Sequence, residues 1–175
     1  MIRVLLVVVW LMWISSGVSA NDEWPMFRGT NAGVATDHPD LPDHWSETEN
    51  VVWKVDIPGL GWSSPIIWGD HVFVTTAISG GEEPQPIKGL YDPGNAHGKT
   101  DAVAEHRWMV YDIDLQTGEI RWERELRAAS PTIKRHLKAS FASETPVTDG
   151  ERVYVYFGSI GLVAALDMTG TVLWA

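Results

Sequence analysis

Short runs of β-branched and aromatic residues recur along the chain, and Gly, Asp, Pro or Thr-Gly pairs bound most of them. Within the runs, apolar and polar side chains alternate loosely, and helical periodicity is weak. This pattern predicts short antiparallel β-strands and an all-β fold. The predicted strands cover residues 51–57, 72–76, 107–113, 153–157, 163–166 and 172–174.

Glycines lie where the predicted strands reverse direction. Gly69 and Gly150 each stand between two strand patterns, where a tight hairpin requires a positive φ. Gly118 and Gly170 each follow a Thr and occupy a second kind of turn. Both kinds of turn therefore occur twice.

The turns belong to a longer internal repeat. Residues 64–74 align without gaps on residues 145–155, and residues 114–122 align on residues 167–174 with one deletion. In the second element, three residues separate the Gly of each Thr-Gly pair from a Trp. The repeat is defined by Trp53, Pro65, Gly69, Asp114, Gly118, Trp122, Pro146, Gly150, Asp167, Gly170 and Trp174.

Each repeat contains four strand patterns, which predicts a blade of a β-propeller. The two blades would span about residues 63–127 and 143–175, within a propeller region of residues 51–175. We expect the recurring Trp to pack between neighbouring blades, because large aromatic side chains bury the most area. Binding by these Trp side chains is the alternative.

Residues 51–57 look like the last strand of a blade without its first three strands. We therefore predict an orphan N-terminal strand of the kind that closes a propeller. Two blades cannot form a ring, since propellers have about four to eight. We expect the chain to be the N-terminal piece of a longer protein or a truncated gene product.

The first twenty residues have the pattern of a secretory signal. Arg3 precedes an unbroken apolar run over residues 4–14, and residues 18–20 (Val-Ser-Ala) form a signal-peptidase site. The run is shorter than the about 20 residues of a membrane-spanning helix, so we expect no stable anchor after cleavage. The sequence predicts cleavage after Ala20, a periplasmic or secreted product and an N-terminal extended segment over residues 21–50.

Composition narrows the classes of partner. The chain has no Cys, so neither disulfides nor a lipid-modified Cys can form. Its formal net charge is −10, which argues against binding nucleic acid through general electrostatics. We expect a protein or small-molecule partner, whose identity the sequence leaves open.

Several motifs together resemble a known family. They are residues 24–29 (WPMFRG), 41–46 (LPDHWS), 52–54 (VWK) and 58–65 (PGLGWSSP), with the Asp/Thr-Gly/Trp repeat. They are similar to those of the bacterial PQQ-like (quinoprotein-like, BamB-related) β-propeller repeat proteins. The resemblance covers nearly all of the chain after the signal. It is specific for the fold, whereas one fold can carry many functions.

The resemblance implies two functions. The first is a non-catalytic binding or assembly scaffold, which we favour. The alternative is a periplasmic PQQ-dependent dehydrogenase whose catalytic residues lie in blades beyond residue 175. That branch of the superfamily uses PQQ, calcium, an Asp base and a vicinal Cys pair. The chain has no Cys, and we match no residue to the calcium ligands or the base. We therefore assign no catalytic or metal residue and no evident cofactor.

Two polar segments contain weak binding candidates. The loop of residues 80–105 and the residue after it supply His97, Asp101 and His106, which could bind a metal or lie in a solvated loop. Their spacing fits no established metal motif. The segment of residues 130–141 contains the basic cluster Lys134, Arg135 and His136. It could contact an anionic ligand or partner, or be a solvated connector.

Overall fold

The computed structural model describes residues 23–35, 39, 41–82, 104–133, 135 and 139–175. Throughout these residues the regular secondary structure is β-strand. Within the same ranges, no helix has the length and apolarity needed to cross a membrane. The prediction of an all-β fold is confirmed.

Eight strands form two separate four-stranded sheets. The first sheet contains β1 (Ile66–Trp68), β2 (His71–Ser79), β3 (His106–Asp114) and β4 (Ile120–Ala129). The second contains β5 (Val147–Thr148), β6 (Arg152–Phe157), β7 (Leu162–Asp167) and β8 (Val172–Trp174). In both sheets the strands pair antiparallel in chain order. The two predicted blades are therefore two antiparallel meanders, while the domain boundaries stay predictions.

Residues 51–57, predicted to be an orphan strand of a blade outside this sequence, pair with no strand among the described residues, so their strand character stays a prediction. Instead, Trp53, Val55 and Ile57 pack on one face of the first sheet. A strand needs a neighbouring backbone that completes its hydrogen bonds, whereas this segment lies over a sheet face. Its alternating pattern results from burial on one side.

The larger apolar core lies between the two sheets. It combines side chains of both sheets with Phe141 and Ala142 of the connecting segment. Strand alternation directs every second side chain of β6 and β7 into it. The fully buried members from the two sheets include Ile66, Phe73, Trp108, Val110, Val153, Phe157, Ala164 and Leu166.

The meanders place successive connections at opposite ends of the sheets. We call one end the hairpin end, which contains the turns at residues 69–70, 115–119, 149–151 and 168–171. We call the other the loop end, which contains the described residues 80–82, 104–105, 130–133, 135, 139–146 and 158–161. The two ends differ in their polar chemistry.

The N-terminal segment connects the first strands of the two sheets. Trp24 pairs with Ile67, with both backbone N–O distances at 2.9 Å. The next carbonyl, of Pro25, accepts a hydrogen bond of 2.9 Å from the amide of Thr148 in β5. This segment thus joins β1 to β5 through backbone hydrogen bonds.

Candidate functional site

Two tryptophans of the repeat lie on the Thr-Gly turns of the repeat that follows them. The indole N–H of Trp122 donates to the Met168 carbonyl at 3.0 Å, and that of Trp53 donates to the Leu115 carbonyl at 2.8 Å. Gly170 has a φ of 81°, and a Cβ there would lie 2.7 Å from the Trp122 ring. Glycine is required because the indole occupies the space of a side chain. Trp122 thereby joins the first sheet to the second.

A charged cluster lies at the hairpin end of the first sheet. Arg121 donates to both Asp70 and Asp114, the latter at 2.6 Å. A β-bulge positions the guanidinium: Asp112 pairs with Trp122 and Ile113 with Ile120, so Arg121 is the extra residue between them. Bulges re-aim side chains in this way.

A histidine and a buried carboxylate complete the cluster. His71 Nδ1 lies 2.7 Å from Asp112 Oδ2, and its Nε2 lies 3.3 Å from an Nη of Arg121. Because a guanidinium can only donate, Nε2 accepts, and Nδ1 carries the proton that it donates to Asp112. Asp112 is fully buried, and its Oδ1 has no hydrogen-bond partner among the described residues. His71 also stacks on Phe73, with ring centroids 5.7 Å apart.

The carboxyl groups of this cluster are shifted in opposite directions. Burial raises the pKa of Asp112, and the hydrogen bond from His71 offsets part of that rise. The hydrogen bond from Arg121 lowers the pKa of Asp70. The same interaction, with amide hydrogen bonds from Thr117 and Gln116, lowers the pKa of Asp114 to about 2. At neutral pH, Arg121 therefore lies between two ionised carboxylates.

The described residues do not fit the PQQ and calcium site of the dehydrogenase branch. The chain lacks the Cys that the vicinal pair requires. The carboxylates of Asp70 and Asp114 bind Arg121, so they do not form an open set of oxygen ligands. In the described ranges, no group of three or more potential metal ligands converges. The cluster instead holds two turns of the first sheet together.

The structure describes two of the six binding candidates taken from the sequence, while His97, Asp101, Lys134 and His136 lie outside the described residues. His106 and Arg135 both contact Phe141 at the loop end. The His106 ring meets Phe141 edge-on at 5.0 Å, and the Arg135 guanidinium lies 5.2 Å from its centroid. His106 is 2% exposed, with Nδ1 2.7 Å from the Ala104 carbonyl. Metal binding by His97, Asp101 and His106 stays a prediction.

An exposed tryptophan lies at the same end. The Trp62 backbone amide donates to the Ala142 carbonyl at 3.0 Å and contacts Ser140 Oγ at 3.2 Å. Just before it, Leu60 and Ala77 exchange two backbone hydrogen bonds of 3.0 Å. The side chain of Trp62 nevertheless remains 52% exposed. A fixed backbone thus presents a large aromatic group to solvent.

The sequence analysis assigned no function to Trp62 or to the His71–Asp112–Arg121 arrangement. One signal could have revealed the buried carboxylate. Asp112 pairs with Trp122 in the first sheet, and Ala165 pairs with Trp174 in the second. A charged residue at a position that is apolar in the other repeat is a departure from the repeat. The pairing of Asp112 with Trp122 could be established only from the strand registers.

Two four-stranded sheets, joined by a Trp that lies on the next Thr-Gly turn, define a PQQ-like β-propeller repeat protein. A family profile described as "Outer membrane protein assembly factor BamB" matches residues 9–175. The chain belongs to this family, and the resemblance inferred from its motifs is confirmed. A search of curated proteins gives no match.

Proposed function

We propose that this protein is an exported, non-catalytic binding or assembly scaffold whose loop end recognises a polypeptide partner through Trp62. The observation that carries the proposal is the half-exposed Trp62 side chain on a backbone fixed by hydrogen bonds. The family's description as an assembly factor supports a scaffold role in the cell envelope.

A tryptophan held in this way suits protein recognition. Trp is enriched among the residues that contribute most to protein interfaces, since it buries a large area and can also donate a hydrogen bond. The Trp62 backbone is already ordered by Ala142 and Ser140, so binding costs little additional conformational entropy. An exposed aromatic group on a rigid sheet is a suitable anchor for an apolar side chain of a partner.

The connecting segment that holds the Trp62 backbone is itself ordered by an arginine. Arg135 is partly buried and lies over Phe141, the residue before Ala142. Its guanidinium donates to the Ala139 carbonyl at 2.6 Å, which fixes the charge in the same connecting segment. These contacts order the same connecting segment that accepts the hydrogen bond of the Trp62 amide.

Export is part of the proposal. The predicted signal, residues 1–20, lies outside the described residues, and the outer-membrane description of the family supports a periplasmic location. Intact mass measurement of the protein recovered from an exporting host tests it. We expect a chain that begins at Asn21. Recovery of the uncleaved chain from the cytoplasm contradicts export.

Site-specific photo-crosslinking tests recognition at Trp62. A photoreactive phenylalanine analogue replaces Trp62 in one variant and Trp45, which is 72% exposed, in a matched control. We expect a discrete adduct from position 62 in the cell envelope, at several times the yield from position 45. Equal yields at both positions, or no adduct at position 62, contradict the proposal.

A ligand test separates the scaffold from the dehydrogenase. We expect the melting temperature of the full-length protein to stay unchanged when PQQ and calcium are added in excess. A saturable rise of several degrees indicates binding to the folded state. Such a rise, together with dye reduction in the presence of an alcohol or sugar, contradicts a non-catalytic function.

A further inference from the structure

The charged cluster at the hairpin end of the first sheet is not repeated in the second sheet, all of whose strands and turns the structure describes. The second repeat replaces the histidine, the buried carboxylate and the arginine, which are His71, Asp112 and Arg121 in the first sheet and Arg152, Ala165 and Leu173 in the second. The second sheet nevertheless forms the same antiparallel meander, with the same bulge before its Trp. The cluster is therefore not a requirement of the blade fold.

Charged groups from three elements surround the imidazole of His71. β3 supplies Asp112, whose Oδ2 lies 2.7 Å from Nδ1, and the turn before β2 supplies Asp70, whose Oδ1 lies 3.6 Å from Nε2. β4 supplies Arg121, with an Nη atom 3.3 Å from Nε2. Asp114, at the end of β3, binds the same guanidinium. Within the described residues, these four side chains are the charged groups that contact the ring or its partners.

The ring of His71 has one nitrogen that can take a further proton. A neutral ring has its proton on Nδ1, because Nε2 faces the guanidinium of Arg121, which can only donate. Nε2 therefore receives any second proton. The side chain is 22% exposed, so solvent can reach the ring. Imidazole is also the side chain whose charge ordinarily changes between about pH 5 and about pH 8.

A proton on Nε2 reverses the preferred contacts of the ring. The contact with Arg121 becomes unfavourable, because two cationic donors then face each other at 3.3 Å. A contact with Asp70 becomes favourable, because the new N–H group can donate to Oδ1, which lies 3.6 Å away. Asp70 is largely exposed, so its carboxylate can turn toward the ring without leaving solvent. The protonated ring also gives the buried Asp112 a charged partner.

Asp70 connects two turns of the first sheet. Its carboxylate binds Arg121 of β4, and its backbone carbonyl accepts a hydrogen bond of 2.9 Å from the amide of Leu115 in the turn 115–119. Arg121 in turn binds Asp114, whose carboxylate accepts hydrogen bonds from amides of that turn. Transfer of the Asp70 carboxylate to His71 removes the side-chain part of this connection and leaves the Leu115 hydrogen bond alone.

We propose that the cluster is a proton-driven switch in which His71 takes Asp70 from Arg121. With a neutral ring, Arg121 binds both Asp70 and Asp114 and connects the two turns. With a protonated ring, the Nε2–H group donates to Asp70, and Arg121 keeps Asp114. The proton comes from solvent and returns to it, so no other reactant is required. Acidification therefore loosens the hairpin end of the first sheet.

Nitrogen-15 NMR of the histidine rings tests the switch in the purified protein. We expect the His71 ring to have its proton on Nδ1 at about pH 8 and protons on both nitrogens at about pH 5. The Nη signals of Arg121 should change over the same pH range. A ring protonated on Nε2 alone at about pH 8, or on one nitrogen alone at about pH 5, overturns the proposal.

Amide hydrogen exchange measures whether the two turns loosen. The Leu115 amide donates across the turns to Asp70, whereas the Gly118 amide donates to Asp114 within its own turn, also at 2.9 Å. The intrinsic exchange of both amides changes with pH in the same way, so the ratio of their rates isolates the structural effect. From about pH 8 to about pH 5, we expect Leu115 to exchange several-fold faster relative to Gly118. A constant ratio overturns the proposal.

Two variants that each neutralise one carboxylate locate the response. Asp70→Asn removes the carboxylate that changes partner, and Glu151→Gln removes the carboxylate at the corresponding position of the second repeat. We expect the ratio of Leu115 to Gly118 exchange to be independent of pH in Asp70→Asn and to follow the parent in Glu151→Gln. A parent-like response of Asp70→Asn, or loss of the response in Glu151→Gln, overturns the proposal. Unchanged amide signals of β6 and β7 verify that both variants are folded.

Discussion

The first and second sheets share one repeat but differ beside their tryptophans. Both contain a bulge one residue before the Trp, and the extra residue is Arg121 in the first sheet and Leu173 in the second. Opposite the Trp stands Asp112 in the first sheet and Ala165 in the second. The repeat therefore determines backbone geometry, whereas the residues at these two positions determine whether a charged cluster forms.

The shared residues perform the same task in both sheets. Asp114 accepts hydrogen bonds from the amides of Gln116 and Thr117 in its turn. Asp167 accepts equivalent bonds from the amides of Thr169 and Thr171, at 2.9 Å each. These Asp residues close the turn on which the preceding Trp lies. The shared residues therefore form the blade, whereas the residues that differ decide whether a charged cluster forms beside the Trp.

Truncation of the two equivalent tryptophans should give the largest difference. Trp122→Ala removes an indole that packs in the core between the sheets and should cost about 3 kcal/mol of unfolding free energy. Trp174→Ala removes a half-exposed side chain and should cost less than about 1 kcal/mol. Denaturant unfolding at low protein concentration measures both. If both variants lose the same unfolding free energy, the two tryptophans are not packed differently.

Substitution of turn glycines sharpens the comparison at smaller cost. Gly170→Ala places a methyl group against the Trp122 ring at a φ of 81° and should cost about 1–3 kcal/mol. Gly161 also has a positive φ, of 61°, but no atom lies within 4 Å of the added Cβ, so Gly161→Ala should cost about 1 kcal/mol. If both variants lose the same unfolding free energy, the packing of Trp122 on this turn does not require a glycine at position 170.

The smallest expected effect concerns how the unfolding free energy changes with pH. An Asp of the first sheet and an Asp of the second should contribute with opposite signs. The raised pKa of Asp112 means that its contribution to stability is present below pH 3.8 and is lost as the pH rises through the folded-state pKa. Asp112→Asn removes this dependence and can still accept the His71 proton. Its stability relative to the parent should therefore increase as the pH rises.

Asp167→Asn provides the matched control, because the Thr169 side-chain hydrogen bond lowers the pKa of Asp167. The contribution of Asp167 is present above pH 3.8 and is lost as the pH falls through the folded-state pKa. The stability of this variant relative to the parent should decrease as the pH rises. Unfolding from about pH 3 to about pH 7 follows both trends. Parallel trends contradict the assignment of Asp112 as a buried, unfavourably ionised carboxyl.

The sequence predicted what depends on local pattern. Apolar alternation and turn glycines located β2, β3 and β6, and the repeat grouped the strands into two antiparallel units. Each of these features is determined by residues close together in the chain. Residues 51–57 show the limit of this reasoning: their alternation matches that of a strand, but hydrogen-bond partners far along the chain decide whether a strand forms.

The contacts of the charged cluster depend on strand register, so the sequence pattern could single out Asp112 but not its partners. Asp70, Asp112 and Arg121 are brought together by two turns and a bulge, and no sequence motif links their spacing. The half-exposure of Trp62 likewise follows from contacts with Ala142 across the molecule. Candidate sites made by tertiary contacts require the structure.

Hydrogen exchange of the indole N–H groups is the most direct test of how the two sheets are joined. We predict slow exchange for Trp122, whose N–H is bonded to Met168, and fast exchange for the half-exposed Trp174. Trp122 should remain protected until global unfolding. Exchange of Trp122 as fast as that of Trp174 would contradict the docking of the repeat Trp on the following Thr-Gly turn.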